Sequence, residues 1–217
     1  MSLTELDNEA RALGLAVRGA FHPKEDDQTP SGTGTLIMLG PDEPRFWALF
    51  KASTEMADGQ PHPLDRWSKR VTTTLATPHQ GQALFPYDGP PYAPFLRWAE
   101  RCGTSWSSPI GLLVHDAAGL FISFRAALAV PARWDLPAAP SKPCTTCTAQ
   151  PCVSACPVGA LAEGKPYDVP ACQAHMKSPK GAACRQGCLV RRACPVSHSF
   201  GRLPEQSAFH MRAFLGE

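Results

Sequence analysis

The sequence predicts an α+β protein built in two parts, and three observations carry that reading. Segments of helical and of strand-like periodicity follow one another without regular strand–helix alternation and without an internal repeat. Hydrophobic residues make up 43% of the 217, enough to supply a sizeable core. The nine cysteines are unevenly spread: Cys102 stands alone in the first 143 residues, and the other eight fall between Cys144 and Cys194. The expected boundary lies at 135/136, with an α+β domain over 1–135 and a cysteine-rich domain over 136–217. The proline-rich, aperiodic stretch 131–143 is the connection between them.

Taken in order, Leu3, Leu6, Ala10 and Leu13 recur at helical spacing and Gly14 follows as a stop, so a first helix is expected over 3–13. Leu15, Val17, Gly19 and Phe21 alternate along a strand, and the charged, proline-bearing segment 22–32 reads as an exposed loop. Residues 35–40 (TLIMLG) form a continuous apolar run, the pattern of a central strand covered on both faces. A helix is expected over 41–53. Another starts at Pro63, whose missing N–H costs nothing in a first turn, and carries a stripe of Leu64, Trp67, Val71 and Leu75. Arg66, Lys69 and Arg70 lie off that stripe and read as a solvated face rather than an anion site. A short strand after Gly81, a proline-rich turn and a helix over 94–102 follow. Two strands, 110–115 and 120–130, are expected to close the domain. Cys102, beside Phe95, Trp98 and Ala99, reads as a small buried hydrophobe.

Formal charge is only +2, but residues 144–217 carry eight Lys/Arg against four Asp/Glu, whereas residues 1–143 carry thirteen against fifteen. The bias suits an acidic electron-donor protein and is too weak to argue for nucleic acid. The most apolar stretch, 110–130, is interrupted by His115, Asp116 and Arg125, so no membrane span is expected. The polar N-terminus shows no secretory leader, and a reducing, cytoplasmic setting is expected.

In that setting eight clustered cysteines point to metal rather than disulfides. Residues 144–157 read CTTCTAQPCVSACP, spacing Cys144, Cys147, Cys152 and Cys156 as C-x2-C-x4-C-x3-C-P. Cys172, Cys184, Cys188 and Cys194 form a second, wider set, again followed by proline. A lone C-x2-C is shared with zinc sites. The full run is not a usual zinc spacing, and eight thiolates match the needs of two [4Fe-4S] clusters. His175 and His198 lie near the cysteines but are not needed as ligands.

The Cys-Pro ending and the spacing resemble two-cluster bacterial ferredoxins, apart from one interval of four residues where the common run has two. That resemblance implies a crossed ligand set: Cys144, Cys147 and Cys152 with Cys194, and Cys172, Cys184 and Cys188 with Cys156. It also implies a short helix, turn and strand over 158–164.

The segments HPLDRWSKRV, FPYDGPPYAPFLRWAERCGTSW and SPIGLLVHDAAGLFISFRAALAVP, followed by the cysteine run, resemble the order found in epoxyqueuosine reductases. IGLLVHDAAGLFISFRAALAVP is also similar to a segment of CblC-type cobalamin-processing chaperones. These resemblances imply a nitroreductase-like N-terminal domain that binds cobalamin, followed by a ferredoxin-like iron-sulfur domain. They place Asp88 near a catalytic proton donor, with a turn aspartate before Gly89 as the plainer reading. They place His115 and Arg125 beside a corrinoid ligand, with a structural histidine and an Arg125–Asp116 pair as the alternatives. Flavin, whose pocket such folds often complete as a homodimer, stands behind cobalamin because no flavin signature is present. The chain stops soon after the cysteines, without the helical-repeat tail of epoxyqueuosine reductases, so tRNA is not an expected partner. The expected function is single-electron transfer from two clusters to a corrinoid, the alternatives being a ferredoxin-like carrier or a cobalamin chaperone without substrate turnover.

Overall fold

The computed structural model describes residues 2–217. In chain order the elements are α1 (Leu3–Ala12), β1 (Leu15–Phe21), β2 (Thr35–Pro41), α2 (Arg45–Lys51), α3 (Thr54–Ala57), α4 (Pro63–Ala76), β3 (Gln82–Leu84) and α5 (Phe95–Arg101). Then come β4 (Ser105–Ser107), β5 (Leu113–His115), β6 (Ala126–Val130), α6 (Val169–Lys177), α7 (Ala182–Arg185), α8 (Leu189–Ala193), α9 (Pro195–His198) and α10 (Pro204–Leu215). They form two compact units. The first runs to Thr104 and takes up again at Ser123–Pro140; the second comprises Ser105–Ile122 and Ser141–Glu217.

In the first unit an antiparallel sheet has the order β1-β2-β6-β3. The two central strands are buried at every position, as their unbroken apolar runs require. Ser2 caps α1 by accepting a hydrogen bond from the Glu5 amide at 3.3 Å, and the helix buries Leu6 and Ala10. Helix α4 buries its expected stripe, Leu64, Trp67, Val71 and Leu75, and Trp67 meets Phe46 edge to face at 5.3 Å between centroids. The β1–β2 register breaks between Val17 and Gly19. Gly19 sits in the bulge at φ 152°, and a Cβ there would stand 2.5 Å from Thr104 Oγ1 and 2.6 Å from Cys102 Cβ.

Helix α2 starts at Arg45 rather than 41, because Pro44 restricts the residue before it and occupies the cap position. The segment 22–32 is not wholly exposed. Asp27 is 1% exposed, accepts from Arg101 Nη2 at 3.0 Å, and gives its carbonyl to Trp98 Nε1 at 2.7 Å.

The second unit differs most from expectation. Residues 105–122, assigned by sequence order to the first domain, pack here with the cysteine-rich segment. Only Leu113–His115 of the expected strand 110–115 is extended. It pairs with β4, which carries too few apolar residues to show a strand pattern. Of 120–130, only Ala126–Val130 is a strand, since the Leu120 amide turns away to the Ser197 hydroxyl at 2.9 Å. Residues 158–164 form turns rather than a helix and strand. Ile110, Val114, Leu120, Leu161 and Val190 make a small core with Cys152 and Cys194. Among the described residues no helix is long and apolar enough to cross a membrane.

Candidate metal centre

The cysteines sit on single turns and helix ends, where the backbone is fixed locally by short loops. Lys142 and Gln150 open two 3₁₀ turns, closed by Thr145 N–H to Lys142 O at 3.2 Å and Val153 N–H to Gln150 O at 3.0 Å, and these carry Cys144 and Cys152. Gln150 takes a left-handed conformation, φ 37°, where the chain reverses into Pro151. Cys172 lies in the first turns of α6, whose start is capped by Asp168 accepting from the Ala171 amide at 2.9 Å. Cys184 is on α7, and Cys188 and Cys194 occupy the N-cap positions of α8 and α9. Pro195 then fills the first position of α9, which needs no amide donor.

All nine cysteines are free thiols. Their electrostatics divide eight of them into two groups. Burial pushes the Cys152 thiol above its ordinary pKa, and the neighbouring Cys144, Cys194 and Cys147 push it further. Burial also raises Cys144; Lys142 opposes that rise, while Cys194 and Cys147 add to it. Cys184 is raised by burial and by Cys188, Cys172 and Cys156. Cys172 is raised by burial, lowered by a hydrogen bond from Tyr167, and raised by Cys188 and Cys156. One group is therefore Cys144, Cys147, Cys152 and Cys194, the other Cys156, Cys172, Cys184 and Cys188.

The first group has a cavity. All four of its cysteines line an open space of about 390 Å³, together with Val114 and Leu120. Apolar walls, four thiols and no carboxylate suit a soft, thiolate-bound centre rather than a hard cation. Among the described residues no three His, Cys, Asp or Glu side chains converge as a single ion requires. A zinc ion would draw its sulfurs to about 2.3 Å from one point, whereas a polynuclear cluster holds its four thiolates apart with its own iron and sulfide.

The remaining sequence candidates lie elsewhere. Asp88 is in an exposed turn, its amide bonded to Phe85 O at 3.3 Å and its carboxylate 3.2 Å from Lys69 Nζ. His115 belongs to the second unit and is 4% exposed. Its Nδ1 lies 3.1 and 3.2 Å from the Ala117 and Ala118 amides and 3.0 Å from Asp116 Oδ1, so that nitrogen is committed to its own turn. Arg125 is in the first unit and pairs with Asp65, not Asp116; its Nε donates to Ser68 Oγ at 3.1 Å. Arg66 and Arg70 are likewise held within the chain, by Asp58 and Glu55.

Sequence reasoning missed the residues that frame the cysteines. Gly119 lies against the Cys194 sulfur, and Ser197 donates its amide to the Cys194 carbonyl at 2.9 Å. Only Gly119, in a Gly-aromatic turn, carried a local signal.

No family model and no curated protein matches the chain. Two solved structures are similar to it. One is an epoxyqueuosine reductase with an epoxyqueuosine-modified tRNA-Tyr stem loop, at 14% identity and a TM-score of 0.47, covering 94% of this chain and 69% of that one. The other is a selenomethionine-labelled epoxyqueuosine reductase, at 15% identity and a TM-score of 0.48, covering 94% and 70%. At these values the likeness carries nothing for this chain's chemistry, which rests on its own residues.

Proposed function

We propose that the second unit is an iron-sulfur redox module holding two [4Fe-4S] clusters, one on Cys144, Cys147, Cys152 and Cys194 and one on Cys156, Cys172, Cys184 and Cys188. The observation that carries the reading is the grouping itself: eight thiols fall into two sets of four, and all four of one set line a single apolar cavity. Burial and mutual repulsion hold several of these thiols protonated, so thiolate is formed at a cost that bound iron offsets. Each set also draws on both halves of the cysteine segment, Cys194 joining the first and Cys156 the second. Such crossing closes the unit through its metal centres, useful where the apolar core is small. When bound, the clusters supply single-electron chemistry.

The acceptor we propose is a corrinoid held by the first unit, a reading supported by the sequence resemblance to cobalamin-binding domains. Of the residues that resemblance offers, Asp88 and Arg125 lie in the first unit and His115 in the second, and each has a partner within the chain. An electron carrier or a cobalamin chaperone would use the same cysteines without turnover. A tRNA stem loop accompanies one structural neighbour, and a net charge of +2 gives no independent support for that partner here.

The test is an anaerobic preparation with iron and acid-labile sulfide quantified, and hydroxocobalamin added before and after dithionite. About eight irons per chain with shifted corrin bands support the whole reading. The same iron content with unmoved bands leaves the carrier, and a colourless zinc protein overturns the cluster assignment.

A further inference from the structure

Ser108 brings a buried hydroxyl to the wall of the first cysteine group. It lies in the turn that joins β4 to β5, and that turn uses both of its backbone groups: the Ser108 amide donates to the Leu112 carbonyl at 2.9 Å, and the Ser108 carbonyl accepts from the Gly111 amide at 3.0 Å. Gly111 closes the turn at φ 76°, in the left-handed region that glycine enters freely. The side chain is not used in the turn. Ser108 is 7% exposed, its Oγ is buried, and among the described residues no group hydrogen-bonds to that oxygen. The same residue lines the space of about 390 Å³ that Cys144, Cys147, Cys152 and Cys194 line.

A hydroxyl taken out of water without a partner is costly, and such a group in a folded protein calls for an acceptor. The other hydroxyls of the lining are provided for: Thr146 gives its own to the Pro143 carbonyl at 3.3 Å, and Thr148 is exposed to water. Pro109, Val114 and Leu120, which share the wall with Ser108, offer no side-chain acceptor. Sulfur does. A cubane bound by four thiolates brings sulfides of its own, carries net negative charge, and gains another electron on reduction; hydrogen bonds to its sulfurs are one of the levers that set its potential. Among the described residues no charged side chain lines the cavity, so this wall favours the added electron through dipoles, and the Ser108 hydroxyl is one with no prior commitment.

We propose that Ser108 donates its hydroxyl to a sulfur of the cluster on Cys144, Cys147, Cys152 and Cys194, raising the reduction potential of that cluster and not of the one on Cys156, Cys172, Cys184 and Cys188. The inference rests on the two-cluster reading above. A hydrogen bond to sulfur strengthens as the sulfur gains charge, so it stabilises the reduced form more than the oxidised one. The donor comes from the connection between β4 and β5, outside the cysteine run, and that hairpin thereby tunes the centre as well as walling it.

The experiment is an anaerobic redox titration of the full, cluster-loaded chain followed by electron paramagnetic resonance, for wild type, Ser108→Ala, Ser108→Thr and Ser108→Val. The transition of the first group is identified as the one perturbed in Cys144→Ser. That transition is expected to move to more negative potential in Ser108→Ala, with the other unmoved. Threonine and valine share a shape and differ in the hydroxyl, so the potential in Ser108→Val should lie below that in Ser108→Thr, and this pair decides if Ser108→Ala fails to assemble. Unmoved transitions, a shift confined to the other transition, or equal potentials in Ser108→Thr and Ser108→Val, in preparations retaining about eight irons, overturn the inference and leave the function standing. A wild-type chain that takes up no iron overturns the function and the inference with it.

Discussion

Gly119 lies directly against Cys194: a Cβ at Gly119 would stand 3.0 Å from the Cys194 sulfur and 2.6 Å from the Ser197 amide nitrogen. The turn after β5 is therefore part of the wall of the first cysteine group. It is pinned there by the Ser197 hydroxyl on the Leu120 amide and by Arg191 on the Leu120 carbonyl.

Gly119→Ala should harm the protein twice. At φ 56° an alanine pays about 1–2 kcal/mol for the left-handed conformation. The clash with backbone at Ser197 cannot be relieved by a side-chain rotation, so α9 and Cys194 must shift. Iron should fall from about eight to about four per chain, with loss of the transition belonging to the first group. A variant with full iron and unchanged thermal stability would show that the close approach is not needed.

Acid should weaken the first unit through Glu55. Arg70 grips this carboxylate with two hydrogen bonds, 2.5 and 2.9 Å, and lowers its pKa from 4.5 to about 2. A depressed carboxylate stabilises the fold above its unfolded pKa, and that stability is lost as pH falls from 4.5 towards 2. Arg70 is half exposed, so water screens the pair and the loss is on the order of 1–2 kcal/mol. Four of the five tryptophans lie in the first unit, which makes urea unfolding followed by tryptophan fluorescence a report on that unit. The gap between wild type and Glu55→Gln should narrow over that window; parallel curves would discharge Glu55 from the effect.

Cys102 should be chemically silent. Burial pushes its thiol up to about 12, despite the opposing charge of Arg101, and it packs beneath the Gly19 bulge in the first unit. Cys102→Ala is expected to keep the full iron content. In the native protein this thiol should resist alkylation at neutral pH. Loss of iron in Cys102→Ala would mean that the eight clustered cysteines do not suffice.

Much of this was legible in the sequence. Leu64, Trp67, Val71 and Leu75 repeat at helical spacing and line one buried face, and TLIMLG is apolar throughout because both its faces are covered. The clustering of eight cysteines was legible as a spacing that apolar packing does not produce, and the structure divides them into two groups of four. What failed was local pattern overridden by distant partners. The run after Leu120 looks like strand, but the Leu120 amide is taken by Ser197, far along the chain. Arg125 was read against Asp116, nine residues away, whereas its partner is Asp65 on α4. Ser197 left no trace, because a single serine shows its purpose only through its partner, here the Leu120 amide.

The division of the cysteines makes the sharpest prediction, because a crossed set and an uncrossed set disagree about single substitutions. If each motif held its own cluster, Cys156→Ser would damage the same centre as Cys144→Ser, and Cys194→Ser the same centre as Cys172→Ser. The proposed grouping reverses both pairings, since the thiols that raise Cys152 are Cys144, Cys147 and Cys194, whereas those that raise Cys184 are Cys156, Cys172 and Cys188. Cys194→Ser and Cys144→Ser should therefore perturb one paramagnetic signal, and Cys156→Ser and Cys172→Ser the other. Serine keeps the size of the side chain and an oxygen donor, so the fold has its best chance of surviving while the iron–sulfur bond is lost. Spectra that pair Cys156 with Cys144 would refute the crossing and, with it, the idea that Cys194 closes the wall against Gly119 for the first cluster.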